Sequence, residues 1–128
     1  MKRSNRVDPS FDDFTAQVAG VLAEARKAAK AAGQIFAKKH PRHMHGLVAD
    51  CGWVWIEIKT SNRRLREALL KRQVLERCAA GGWRLEPHWT PRVQLPLGFK
   101  ESGCSAALEV LKRRLGKSAS FGLQTLQD

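Results

Sequence analysis

The sequence predicts one small α/β domain in which a mixed sheet is flanked by helices, in the order α-β-β-β-α-β-α. Three observations carry that expectation. Apolar residues recur at helical spacing in three segments, near 11–29, 65–79 and 108–115. Between the first two lies Trp53-Val54-Trp55-Ile56-Glu57-Ile58-Lys59, the aromatic and β-branched composition of a buried strand. The 128 residues, 43% of them hydrophobic, suffice for a single core.

Residues 1–8 read as a flexible basic arm, and the domain proper as 9–116. Ser10-Phe11-Asp12-Asp13 resembles a capping box behind Pro9. Phe11, Phe14, Val18, Leu22, Ala25 and Ala29 then form one apolar helical face, and Gly33 is expected to stop the helix. Residues 34–38 form a short strand candidate, and Pro41 interrupts the chain. Leu47-Val48-Ala49 and the Trp53–Lys59 run pair as a hairpin around Asp50-Cys51-Gly52. A second helix is expected over 62–80, ending at Gly81-Gly82. It carries two apolar stripes, one of Leu65, Leu69 and Ala79 and one of Leu70, Val74 and Cys78. A strand over 83–86 follows, then a proline-containing loop over 90–101. A last helix runs from Ser105 with Leu108, Leu111 and Leu115 inward, and Gly116 ends it. The tail from Lys117 is expected to be poorly ordered.

Charge narrows the function. With 23 Lys and Arg against 12 Asp and Glu, the net charge of +11 attracts polyanions. No apolar run approaches a transmembrane length. The basic start, Met1 to Arg6, leads into Val7-Asp8-Pro9 and not into a secretory apolar segment. Cys51, Cys78 and Cys104 form no C-x-x-C pair, so neither a disulfide framework nor a zinc site is suggested. A cytoplasmic protein whose partner is nucleic acid, DNA foremost, is therefore expected, with no membrane partner. On the second helix Arg66, Gln73 and Arg77 fall near one face with Arg63 beside them. Together with Lys38, Lys39 and Arg42 they are candidate phosphate contacts. The same charges also suit an ordinary solvated face, with Glu67 and Glu76 as partners for Lys71 and Arg72. Lys112-Arg113-Arg114 makes a further basic cluster at a helix C-terminus. Trp53, Trp55 and Trp83 lie in strand patterns and are assigned to the core. Trp89, outside them, is the candidate exposed ring.

Glu57 and Lys59 are two apart on a strand and so share a face. A carboxylate and an ammonium among Trp, Val and Ile are costly unless paired or used. One use is phosphodiester hydrolysis, in which the carboxylate holds a divalent cation and the lysine orients the attacking water or stabilises developing charge. The other reading is a salt-bridged strand edge. His40, His43, His45 and His88 suit either a metal cluster or a phosphate-facing polar loop. The lack of a cysteine or second acid beside them favours the loop.

The order of helix, strand, hairpin bearing Ile56-Glu57-Ile58-Lys59-Thr60, helix bearing Gln73, and Ala79-Ala80-Gly81-Gly82 resembles the PD-(D/E)xK nuclease superfamily, with its restriction-endonuclease-like fold. Among its members the virus-type replication-repair nuclease (VRR-NUC) domains are the most similar, over about residues 20–86. The resemblance implies a Mg2+- or Mn2+-dependent nuclease, often dimeric, of a kind suited to a phage or mobile element. It implies catalytic roles for Glu57, Lys59 and Gln73, a match at Thr60, and a first-helix acid at Glu24. The family's hairpin aspartate has no counterpart at the expected place. Asp50 is the nearest, but a three-residue turn would leave it on the order of 10 Å or more from Glu57. The same turn would set His45 opposite Glu57, with His43 on the same face. The metal ligands implied are thus Glu57 with Asp50 or His45. If neither serves, the domain binds nucleic acid without cutting it. A third reading is a basic adaptor for an acidic protein, docking on an exposed Leu70-Val74-Cys78 patch.

Overall fold

The computed structural model of the chain describes residues 9–45, 52–78, 82–85, 89 and 96–127. Helix α1 (Pro9–Lys39) and the short α2 (Pro41–His45) precede strand β1 (Gly52–Lys59). Helix α3 (Arg63–Lys71) leads into a hairpin of β2 (Leu75–Arg77) and β3 (Trp83–Leu85). Helix α4 (Leu97–Leu115) and strand β4 (Ser120–Gln127) complete the described chain. The α/β class follows directly, with helices packed against a four-stranded sheet in the order β2-β3-β1-β4.

The sheet was expected to be mixed, but each described pairing is antiparallel. The β1-α3-β2 connection is the helical crossover that would set two strands parallel. Here β3 folds back from β2 and inserts between them, so the parallel strands are not neighbours.

The register divides β1 into two faces. Ile56 is level with Leu85 and Leu123, and Ile58 with Trp83 and Phe121. Ile56, Ile58, Leu85 and Phe121 are buried in one core with Val18, Leu22 and Ala25 of α1, Leu65 and Leu69 of α3, and Leu108 and Leu111 of α4. The odd-numbered residues Trp53, Trp55, Glu57 and Lys59 project from the opposite face, as strand alternation requires. The apolar helical stripes expected at Val18 to Ala29 and Leu108 to Leu115 are therefore the core faces of α1 and α4.

Three boundaries differ from the sequence expectation. Gly33 does not stop α1, which continues to Lys39, so 34–38 is helical and not a strand. Its role is steric: a β-carbon on Gly33 would lie 2.6 Å from Phe99 Cζ, and one on Gly98 would lie 2.8 Å from the Phe36 ring. Each helix offers a glycine to a phenylalanine of the other, and Phe36 and Phe99 meet edge to face at 6.3 Å. Glu24 meets Arg113 and Arg114 at the other end of the same contact, so α1 and α4 are antiparallel. This packing also draws residues 97–101, expected as loop, into α4.

Helix α3 ends at Lys71 and not at Ala80. Gln73 adopts φ 59°, with its N–H bonded to the Leu70 carbonyl and that of Val74 bonded to the Leu69 carbonyl. This is a Schellman stop, sealed by the buried side chains of Leu69 and Val74. The Leu70-Val74-Cys78 stripe is thereby dismantled: Val74 is buried and Leu70 alone of the three is exposed. The adaptor reading loses its motivation with it.

The tail is not poorly ordered. Residues 120–127 pair with β1 along its whole length, and the alternation of Phe121 and Leu123 with Gly122 and Gln124 is a half-buried strand pattern. The first hairpin strand, 47–49, and its turn at 50–51 lie outside the described residues.

Candidate nucleic-acid interface

Two surfaces collect the polar side chains that the fold does not consume. The first is the face of the sheet turned away from the core. Glu57, half-buried, is level with Arg84 on β3, and Arg84 is level with Glu76 on β2. The Arg84 guanidinium donates to Glu76 at 2.8 Å and lies 6.0 Å from the centre of the Trp55 ring. Beside Glu57 runs the backbone of Gly82, at φ 81°, where a β-carbon would stand 3.9 Å from the Glu57 carboxylate. Lys59 is exposed at the end of the row. Glu57 and Lys59 form no ion pair among the described residues. At the other end Trp53 is 64% exposed, with the Lys100 ammonium 5.4 Å from its ring centre.

The tryptophans thus divide differently from expectation. Trp53, assigned to the core by its strand context, is exposed because it occupies an odd position on β1. Trp89, the candidate exposed ring, is buried and donates its indole N–H to the Leu85 carbonyl at 3.2 Å.

The second surface is the end of the molecule where β1 and α4 finish and α3 starts. The Thr60 hydroxyl donates to the Ser118 carbonyl at 2.6 Å and accepts the Asn62 N–H at 2.9 Å, tying these three ends together. Asn62 caps α3 by accepting the Leu65 N–H at 3.0 Å. Arg63 and Arg64 occupy the first turn of α3, which has no acidic residue. Cations there oppose the helix dipole, which favours carboxylates at that end by about 0.3–1 kcal/mol each. Lys59 ends β1 just before this turn, and Lys117 adjoins the Ser118 that Thr60 holds. Arg113 and Arg114, in the last turn of α4 with Lys112, meet Glu24, ten residues along α1 from the Phe14 that Arg64 covers. Glu67 pairs with Arg63 at 3.5 Å, and Glu24 binds both Arg113 and Arg114. Arg64 lies over the Phe14 ring at 4.7 Å.

The remaining sequence candidates that are described have places of their own in the fold. Gln73 is the exposed left-handed residue that ends α3, so it shares no helix face with Arg66. Arg77 belongs to β2 and lies 5.1 Å from the centre of the Trp83 ring. Glu24 sits on α1, on the core side of the sheet, and is held by two arginines. Lys38 and Lys39 end α1, with Arg42 just beyond on α2, away from the Arg63–Arg64 turn. Asp50 lies outside the described residues, as do the side chains of His43 and His45. Among the described residues no group of three or more His, Cys, Asp or Glu side chains is placed to hold a metal ion.

The sequence reading passed over Arg64, Arg84, Lys100 and Lys117. Arg64 carried a usable signal, since two arginines directly after an N-cap asparagine contradict dipole preference. The others become neighbours only through strand register and helix packing.

Among the described residues no helix is long and apolar enough to cross a membrane. No protein-family model, curated protein or solved structure matches the chain.

Proposed function

We propose that this chain binds nucleic acid through its phosphates, at the basic end formed by the start of α3 and the close of α4. The carrying observation is Arg63-Arg64 at the positive end of α3, a placement that costs the helix stability and suits an anion. The net charge of +11 supports the same partner. The test is a gel-shift assay on labelled single-stranded, duplex and branched DNA at two salt concentrations. Binding that weakens as salt rises is expected. Affinity indifferent to salt, or no binding to any of these ligands, refutes the proposal.

A second reading is phosphodiester hydrolysis at Glu57 and Lys59. It is favoured by one observation, that neither group has an ion-pair partner among the described residues although both share one exposed sheet face. The same substrates, incubated with Mg2+, Mn2+ or EDTA, test it. Metal-dependent cutting that Glu57→Ala abolishes establishes the nuclease. Binding without cutting in either metal leaves a non-catalytic binding protein.

A further inference from the structure

We infer that the nucleic acid taken by this chain is single-stranded, and that Trp53 is the ring on which a base stacks. This rests on the phosphate-binding reading above and adds a second contact, on a different surface. An indole exposed to 64% on a regular strand is not a packing residue. Its surroundings are those of a nucleotide site. The Lys100 ammonium stands over its ring, 5.4 Å from the centre, and can swing to a phosphate when a base takes that face. Trp55 follows two residues along the same face, about 6.6 Å of strand, or roughly two steps of stacked bases. Arg84 lies 6.0 Å from the Trp55 ring centre, and Lys59 closes the row. Along this face of β1 stand Trp53, Trp55, Glu57 and Lys59, with Lys100 beside Trp53 and Arg84, paired to Glu76, beside Trp55. A duplex hides its base faces within the stack and cannot use such a row, whereas an unpaired strand can lay bases on it and keep phosphates toward the cations.

The experiment measures binding of fluorescein-labelled oligo(dT), oligo(U) and a DNA duplex of matched length by polarisation. It compares the wild-type chain with Trp53→Ala and Trp53→Phe. The expected result is an affinity for the single strands about 5- to 160-fold weaker in Trp53→Ala. Trp53→Phe should recover most of that loss, and duplex affinity should move less than twofold in either variant. Thermal melts confirm that both variants fold, as substitution of an exposed side chain should allow. Unchanged single-strand binding in Trp53→Ala overturns the inference, as does an equal loss on duplex. If the wild type binds duplex in a salt-dependent way and ignores single strands, stacking fails and the phosphate reading stands. If it binds none of the three, both fall together. The oligo(dT) and oligo(U) arms assign the strand to DNA or RNA.

Discussion

Replacing both arginines at the start of α3 by glutamine separates binding from stability in one variant. Removing two cations from the positive end of a helix stabilises it by about 0.3–1 kcal/mol each. Against that stand the exposed Arg63–Glu67 pair, about 0.3–0.5 kcal/mol, and the Arg64 contact with Phe14, about 0.5–1 kcal/mol. The two sides nearly cancel, so Arg63→Gln with Arg64→Gln should change unfolding free energy by less than about 1 kcal/mol. Binding responds differently. The basic end carries Lys59, Arg63, Arg64, Lys112, Arg113, Arg114 and Lys117, of which Lys59, Lys112 and Lys117 have no ion-pair partner among the described residues. If Arg63, Arg64 and those three meet phosphates, log affinity for duplex falls with log salt at a slope of about −4.5; if all seven do, at about −6. The double substitution should flatten the measured slope by about 1.8 on duplex, or about 1.4 on a single strand. Polarisation titrations between 50 and 200 mM salt read it directly. An unchanged slope in a folded variant would refute the placement of the phosphates at the start of α3.

Other outcomes follow from the same geometry. Gln73→Gly relieves a left-handed residue at φ 59° and should stabilise the fold by about 1 kcal/mol in urea denaturation; were Gln73 catalytic, the variant would also lose cleavage. Glu57→Gln removes a negative charge from a face proposed to carry nucleic acid, so affinity should rise several-fold in a binding protein, whereas in a nuclease cutting should vanish. Gly33→Leu places a side chain where a β-carbon already meets Phe99 at 2.6 Å, and should cost at least about 1–3 kcal/mol by thermal melt. Phe121→Ala, in the tail strand, should cost about 3–5 kcal/mol, a result incompatible with a disordered C-terminus.

What the sequence disclosed and what it withheld divide along physical lines. Periodicity is a one-dimensional record of burial, so the core faces of α1 and α4 and the strand at Trp53–Lys59 were readable. Gly33, Gly98 and Gln73 were not, because each answers to a partner elsewhere in the chain. A glycine that stops a helix and a glycine that admits a phenylalanine look alike until the crossing helix is known. Likewise, a glutamine inside an apparently helical stretch can be its αL terminator when the buried Val74 must turn back onto Leu69. The tail strand had a legible alternation in Phe121, Gly122, Leu123 and Gln124, which the Lys117-Ser118 polar start obscured. In the site, sequence reasoning placed Glu57 and Lys59 on one face correctly. It could not choose which face met the core, and the same uncertainty put Trp53 inside.

The structure also redistributes the weight of the nuclease resemblance. Thr60 matches the strand motif, yet its hydroxyl links Ser118 to Asn62. Gln73 matches the helix glutamine, yet its backbone conformation ends α3. Glu24 matches the first-helix acid, yet it clamps Arg113 and Arg114 across the α1–α4 contact, on the core side of the sheet. Each of these three has a sufficient structural reason to be where it is, and none of those reasons involves a phosphodiester. Glu57 and Lys59 are different. Neither fills the core, caps a helix or closes an ion pair among the described residues, and both lie on the face that carries Trp53 and Arg84. The hydrolytic reading therefore depends on these two side chains, and Glu57→Gln is the substitution whose result has opposite signs under the two functions.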